Sequence, residues 1–174
     1  EEGVKIHTGI SVSAIVGDGR VEKVICSNGA EFPADVVIIG VGVLPNVELA
    51  QEAGIEVDNG IIVDEFCRTN DAHIVAAGDC ANHFNAIYGR RMRLESVPNA
   101  SEQGKTAAAT LCGFTKAYKS LPWFWSDQYD LKLQIAGLSQ GYDHVVIRGD
   151  KLANRSFAAF YFKEGRLIAA DCIN

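Results

Sequence analysis

Several things are scarce in this 174-residue chain, and each scarcity excludes something. Basic side chains number 16 against 22 acidic ones, and the formal charge of −6 argues against a nucleic-acid partner, which requires a basic excess. No apolar run approaches the roughly 18 residues of a membrane span, and the opening Glu1-Glu2-Gly3 is no signal peptide, so no membrane association is expected. Five cysteines (Cys26, Cys67, Cys80, Cys112 and Cys172) form no Cys-x-x-Cys pair, which removes a redox dithiol and a zinc ribbon. They read as free, reduced thiols of a cytoplasmic protein. Cys80-Ala81-Asn82-His83 has metal-like spacing, but no second pair completes four ligands, and no metal is expected. The dinucleotide fingerprint Gly-x-Gly-x-x-Gly occurs nowhere. Methionine occurs once, away from the start, and the closing Ala169-Ala170-Asp171-Cys172-Ile173-Asn174 reads as strand. The chain is therefore expected to be a piece of a longer protein.

What is present is the composition of a globular protein, 48% apolar. Alternation predicts strands at Val4–Thr8 and Val12–Val16, and Asp18-Gly19 turns the second into Val21–Cys26. Asn28-Gly29 makes another turn. Asp35 to Val43 reads as a strand buried on both faces, the parallel-sheet kind. A short helix is expected over Val47–Ala53, stopped by Gly54. Strands are expected at Gly60–Asp64 and His73–Ala77, then a polar, arginine-rich loop from Tyr88 to Glu95. A helix begins near Pro98, with Ala100, Gly104, Ala107, Ala108 and Leu111 on one close-packing face. The remainder reads as a small antiparallel unit, with strands at Leu131–Ala136, His144–Arg148 and Phe157–Phe162 and a last one after the turn Lys163-Glu164-Gly165-Arg166.

Four clusters are candidates for chemistry. Ile74-Val75-Ala76-Ala77-Gly78-Asp79 delivers a glycine, then an aspartate, at a strand's carboxyl end, where ligands of open α/β sheets bind. Asp79 there would accept a polyol hydroxyl, or would only cap the next turn. Val97-Pro98 heads a helix whose free N–H groups favour an electron-rich oxygen. Gly40-x-Gly42-x-x-Pro45 lacks a third glycine and reads as a crossover loop against a cofactor rather than a phosphate cradle. Trp123 and Trp125 are expected on opposite sides of an extended segment, one packed inward and one against a flat ring. Arg90, Arg91, Arg93 and Lys105 form a basic group in an acidic chain, either solvated or steering an acidic partner.

The series Gly42-Val43-Leu44-Pro45-Asn46, Ala77-Gly78-Asp79-Cys80-Ala81, Glu95-Ser96-Val97-Pro98-Asn99-Ala100 and Pro122-Trp123-Phe124-Trp125-Ser126-Asp127-Gln128-Tyr129 resembles the FAD-dependent ferredoxin reductases that serve oxygenases. The resemblance implies an α/β architecture of three parts. Residues 1–45 would finish an NAD(P)H-binding domain, 46–117 would be the second segment of a glutathione-reductase-like FAD domain, and 118–174 would begin a small α+β C-terminal domain with an antiparallel sheet. It also implies site residues: Gly78 and Asp79 at the ribityl chain of FAD, Val97 and Pro98 at the pyrimidine oxygen, Trp125 and Trp123 where nicotinamide docks, and Gly42 beside the cofactor. No side chain is implied as nucleophile or acid; NAD(P)H would give a hydride to the flavin, which would release electrons singly to a ferredoxin-type iron–sulfur protein. A homodimer is compatible with this. With both fingerprints outside these residues, the isolated chain is expected to bind FAD weakly or not at all. The competing readings are a non-catalytic FAD-binding or subunit-assembly module and an apoptosis-inducing-factor-like flavoprotein.

Overall fold

The computed structural model describes residues 3–150 and 155–174 and divides into two compact units, Glu1–Val43 and Leu44–Asn174. In the first, β1 (Val12–Val16), β2 (Lys23–Cys26) and β3 (Glu31–Pro33) form an antiparallel sheet in chain order. Turn chemistry sets this meander. Gly29 sits at φ +81°, the Asn28 side chain accepts the Ala30 N–H at 3.1 Å, and the Cys26 N–H donates to the Ala30 carbonyl at 2.9 Å. Two expectations fail in this unit. Residues 4–8 are not a strand, and residues 35–43 are unpaired, with Val36 77%, Ile38 91% and Val41 89% exposed. A parallel strand exists only through neighbours that complete its ladder, and none is present among the described residues.

The second unit opens with α1 (Glu48–Glu52), and both of its helices end the same way. After α1 the Gly54 N–H donates to the Gln51 carbonyl and the Ile55 N–H to that of Ala50; after α2 (Val97–Leu111) Gly113 pairs with Thr110 and Phe114 with Ala109. These are Schellman caps, and the left-handed glycines they require stand at φ +74° and +79°. Between the helices lies a small sheet of β4 (Ile61–Val63), β5 (Ala81–Asn85) and β6 (Arg90–Arg93), with β5 central, parallel to β4 and antiparallel to β6. Val63, Ala76 and Ala81 form its core, flanked by Ile61.

Three further expectations are corrected here. The stretch from His73 to Ala77 makes one bridge, Val75 to Arg68, and is no strand, so Gly78-Asp79 leads into strand β5 instead of ending one. Tyr88 to Glu95 is no loop: it contains β6, whose inward residue Met92 is buried while Arg91 reaches back to donate to the Val63 and Asn82 carbonyls at 3.1 and 2.9 Å. The face of α2 that packs inward is polar (Asn99, Gln103 and Thr106, with Ala107), whereas Gly104, Ala108 and Leu111 are exposed. Side-chain hydrogen bonding, not small size, decides which face turns in.

Ser96 caps α2 from an extended conformation, its hydroxyl accepting the Asn99 N–H at 3.3 Å. Ser96→Ala should cost about 1 kcal/mol, read as a lower urea midpoint with an unchanged m-value.

The described residues from Trp123 onward build one antiparallel sheet of β7 (Trp123–Gln128), β8 (Leu131–Gly137), β9 (His144–Asp150), β10 (Ser156–Lys163) and β11 (Arg166–Ile173), in the order β7-β8-β11-β10-β9. Glu164 and Gly165, at φ +51° and +76°, form the β10–β11 hairpin turn. No helix occurs among the described residues of this stretch, so its expected α+β character is not seen; the described part is all β. Trp123 and Trp125 do not face opposite ways. Side chains two apart on a strand share a face, and the two rings lie 5.4 Å apart, tilted by 41°. Tyr88 ties this sheet to the preceding segment: its hydroxyl donates to the Ile168 carbonyl at 3.0 Å and accepts the Leu138 N–H at 2.7 Å.

Candidate functional site

The amino terminus of α2 is the centre of the arrangement. A helix start leaves backbone donors without intrahelical partners. Here Pro98 has no N–H, Asn99 donates to the Ser96 hydroxyl, and Ala100 donates to the Ser96 carbonyl at 3.0 Å. Val97 keeps the one first-turn N–H with no acceptor among the described residues, and its side chain is exposed. Beside it Val97, Pro98, Ser101 and Glu102 meet Trp123, Trp125 and Gln134 across a groove of about 540 Å³. The Trp123 indole N–H donates to the Gln134 side chain at 3.0 Å, which leaves the tryptophan faces half-exposed above the groove. Four of the expected residues, Val97, Pro98, Trp123 and Trp125, therefore line one groove.

Gly78 and Asp79 reach the same helix one turn along. Gly78 is buried at φ +83°, and a Cβ there would stand 3.4 Å from that of Ala100. A methyl there would meet Ala100 at ordinary contact distance, so it is the left-handed backbone that calls for glycine. Asp79 is exposed; its carbonyl accepts from Arg93 at 2.9 Å, and its carboxylate has no hydrogen bond or ion pair among the described residues. Asp79 does not line the tryptophan groove. Gly42, at φ +99° with nothing within 4 Å, belongs to the first unit.

Beneath these groups lies a buried polar cluster that reading the sequence missed. Gln103 is wholly buried; its Oε1 accepts the Gly78 N–H at 2.8 Å and its Nε2 faces His83 Nδ1 at 3.1 Å. Asn99 donates to the Leu94 carbonyl at 3.0 Å and accepts from the Tyr118 hydroxyl at 2.8 Å, while the Tyr118 ring meets His83 edge-on at 4.9 Å. Burial holds the His83 imidazole below its ordinary pKa, helped by the Arg91 charge. Burial likewise pushes the Tyr118 phenol up to about 12 and the Cys67 thiol up to about 11, the latter with help from Asp64. The cluster is neutral by construction. Its trace in the sequence is polar residues at helical spacing, Asn99, Gln103, Thr106 and Thr110, on one side of α2. Cys80 and His83 do not converge: Cys80 contacts the Ala77 carbonyl, and the described residues contain no group of three metal-ligating side chains. All five cysteines are free thiols.

Comparison with known proteins gives this geometry a family. The model of the pyridine nucleotide-disulphide oxidoreductases matches residues 1–104, more than half the chain. The chain belongs to that family. A second model, the reductase C-terminal domain, matches residues 123–174. Putidaredoxin reductase from Pseudomonas putida is 46% identical over the full chain, which spans 42% of that relative. The ferredoxin–NAD(+) reductase component of the anthranilate 1,2-dioxygenase system from Burkholderia cepacia is 47% identical over 94% of the chain and 40% of the relative. The crystal structure of a ferredoxin reductase from Rhodopseudomonas palustris superposes with a TM-score of 0.94 at 49% identity, covering 99% of this chain and 43% of that one. A covalent putidaredoxin reductase–putidaredoxin complex gives 0.93 at 46%, covering 99% and 42%. The chain thus spans under half the length of these relatives. No helix of the described residues is long and apolar enough to cross a membrane.

Proposed function

We propose that this chain is part of an FAD-dependent ferredoxin reductase that passes electrons from NAD(P)H to a ferredoxin-type iron–sulfur protein. In this reading residues 1–45 close the NAD(P)H domain, 46–117 return to the FAD domain and 118–174 enter the C-terminal domain. The observation that carries it is the donor set around α2. A carboxylate free to accept hydroxyl hydrogens, a helix-start amide free to donate to a carbonyl oxygen, and a pair of aromatic faces beside it match the ribityl chain, the pyrimidine edge and the ring plane of a flavin. The residues present fit the group.

FAD, when bound, would supply hydride acceptance and single-electron release. This chain's own residues do the holding. Asp79 would accept from ribityl hydroxyls, the Val97 amide and the α2 dipole would favour negative charge at the pyrimidine edge, and Trp123 and Trp125 would limit water over the ring. The likeness to putidaredoxin reductase captured with putidaredoxin supports an iron–sulfur partner.

The test is Asp79→Ala in the full-length protein. Losing a charge-assisted hydrogen bond of roughly 1.5–3 kcal/mol should weaken flavin binding about 10- to 100-fold. Flavin titration of the apoprotein measures this. Unchanged affinity, or a wild-type protein reducing no dye with NADH or NADPH, would count against the reading.

A further inference from the structure

We propose that Gln103 is a positioning residue, holding the Gly78-Asp79 turn and the amino terminus of α2 in the arrangement that grips the flavin. The proposal rests on the FAD reading above and extends it to a residue that touches no ligand.

The argument starts from hydrogen-bond direction. The Gly78 amide can only donate, so the side-chain atom of Gln103 that meets it at 2.8 Å is the oxygen. The amide nitrogen must then face His83 Nδ1 at 3.1 Å, and that ring atom must be the acceptor. Asn99 Nδ2 approaches the same Gln103 oxygen at 3.4 Å while donating to the Leu94 carbonyl, and the Asn99 oxygen is taken by the Tyr118 hydroxyl. Each contact fixes the sense of the next, and no single amide can flip without setting like against like.

The consequence is geometric. Gly78 directly precedes Asp79. Gln103 stands six residues after Val97 on one unbroken helix. One wholly buried side chain therefore joins the two elements that present the carboxylate and the free amide. The buried bond from the Gly78 N–H to Gln103 Oε1 holds the turn to the helix, so its loss leaves the turn free to move away. A misplacement of about 1 Å in such a site costs on the order of 100-fold in function.

The experiment uses the full-length protein and three readouts: flavin affinity of the apoprotein, the two-electron midpoint potential of bound flavin, and hydrogen exchange of the Gly78 amide. Gln103→Met, of similar volume but with no acceptor oxygen, should weaken flavin binding at least tenfold and accelerate Gly78 exchange. It should also shift the bound flavin toward its oxidised form by up to tenfold, about 30 mV for two electrons. Gln103→Glu keeps an oxygen for Gly78 and should slow Gly78 exchange relative to Gln103→Met, while its second oxygen, set against the His83 Nδ1 acceptor, prevents full recovery of affinity and potential. Thr106→Val, equally buried on the same face, should lower the melting temperature without moving the potential.

If Gln103→Met lowers only the melting temperature, leaving affinity, potential and Gly78 exchange unchanged, the proposal is overturned. Where Gln103→Met does not fold, Gln103→Asn, one methylene too short to reach Gly78, is read by the same criteria. A wild-type protein that binds no flavin overturns the FAD reading instead, and Gly78 exchange in Gln103→Met then decides the tether by itself.

Discussion

Gly137→Ala should be among the most damaging single-methyl additions to the chain, costing about 2–5 kcal/mol. Two independent terms add. Gly137 stands at φ +81°, where an L side chain is strained by about 1–2 kcal/mol. A Cβ there would lie 2.3 Å from the Ile168 carbonyl oxygen, 2.8 Å from the Tyr88 hydroxyl and 3.0 Å from the Ala169 Cα. Two of those neighbours are backbone of the paired strand β11 and cannot rotate away, so relief means moving the strand, an overpacking cost of about 1–3 kcal/mol. The Gly137 N–H is itself committed, donating to the Pro122 carbonyl at 2.8 Å directly before the tryptophan strand. Gly165→Ala is the internal control: it shares the left-handed backbone, at φ +76°, but has nothing within 4 Å. It should cost only the strain, about 1–2 kcal/mol. Urea denaturation of both variants measures the difference, and equal losses would show that close approach contributes nothing at Gly137.

That comparison also shows what the sequence made readable. Elements fixed by turn and cap chemistry were legible: the Asn28-Gly29 and Glu164-Gly165 turns, the Gly54 stop, the helix entered through Val97-Pro98, and the last three strands. Local rules govern them, and each was present in the residues. Asp35 to Val43 does not form the expected strand because an apolar run announces a parallel strand without showing whether its neighbours are present. β5 was missed because its buried residues include Asn82, His83 and Asn85, polar side chains at positions where a pattern search looks for Val or Ile. β6 was hidden by three arginines, although Met92 between them is the alternating apolar position. Of the proposed site, the residues that would touch a ligand carry recognisable chemistry and were named as candidates. Gln103, His83 and Tyr118 were not, because a buried polar ring is assembled from three separate segments and no spacing in one of them reveals it.

The same ring should make folding stability depend on pH near neutrality. His83 is 2% exposed, its Nδ1 must remain an acceptor for Gln103, and Arg91 adds a repelling charge, so its pKa in the folded chain is held below the ordinary 6.5. The unfolded chain takes up a proton near pH 6.5, while the folded chain does so only at lower pH. Between those two values the unfolded state binds more protons, and stability rises with pH there. The contribution is therefore fully present above pH 6.5, is lost as pH falls from 6.5 toward the lowered value, and changes no further below it. While the folded form resists protonation, the slope approaches about 1.4 kcal/mol per pH unit. Tyr118 and Cys67, pushed up to about 12 and 11, stay neutral throughout this window. His83 is thus the member of the cluster that titrates. Urea midpoints for the wild type and His83→Gln at pH 7.5, 6.5 and 5.5 separate this term from the rest of the acid response. The wild type should lose more stability than the variant over that range, and parallel curves would mean that the folded chain accommodates an imidazolium beside Gln103.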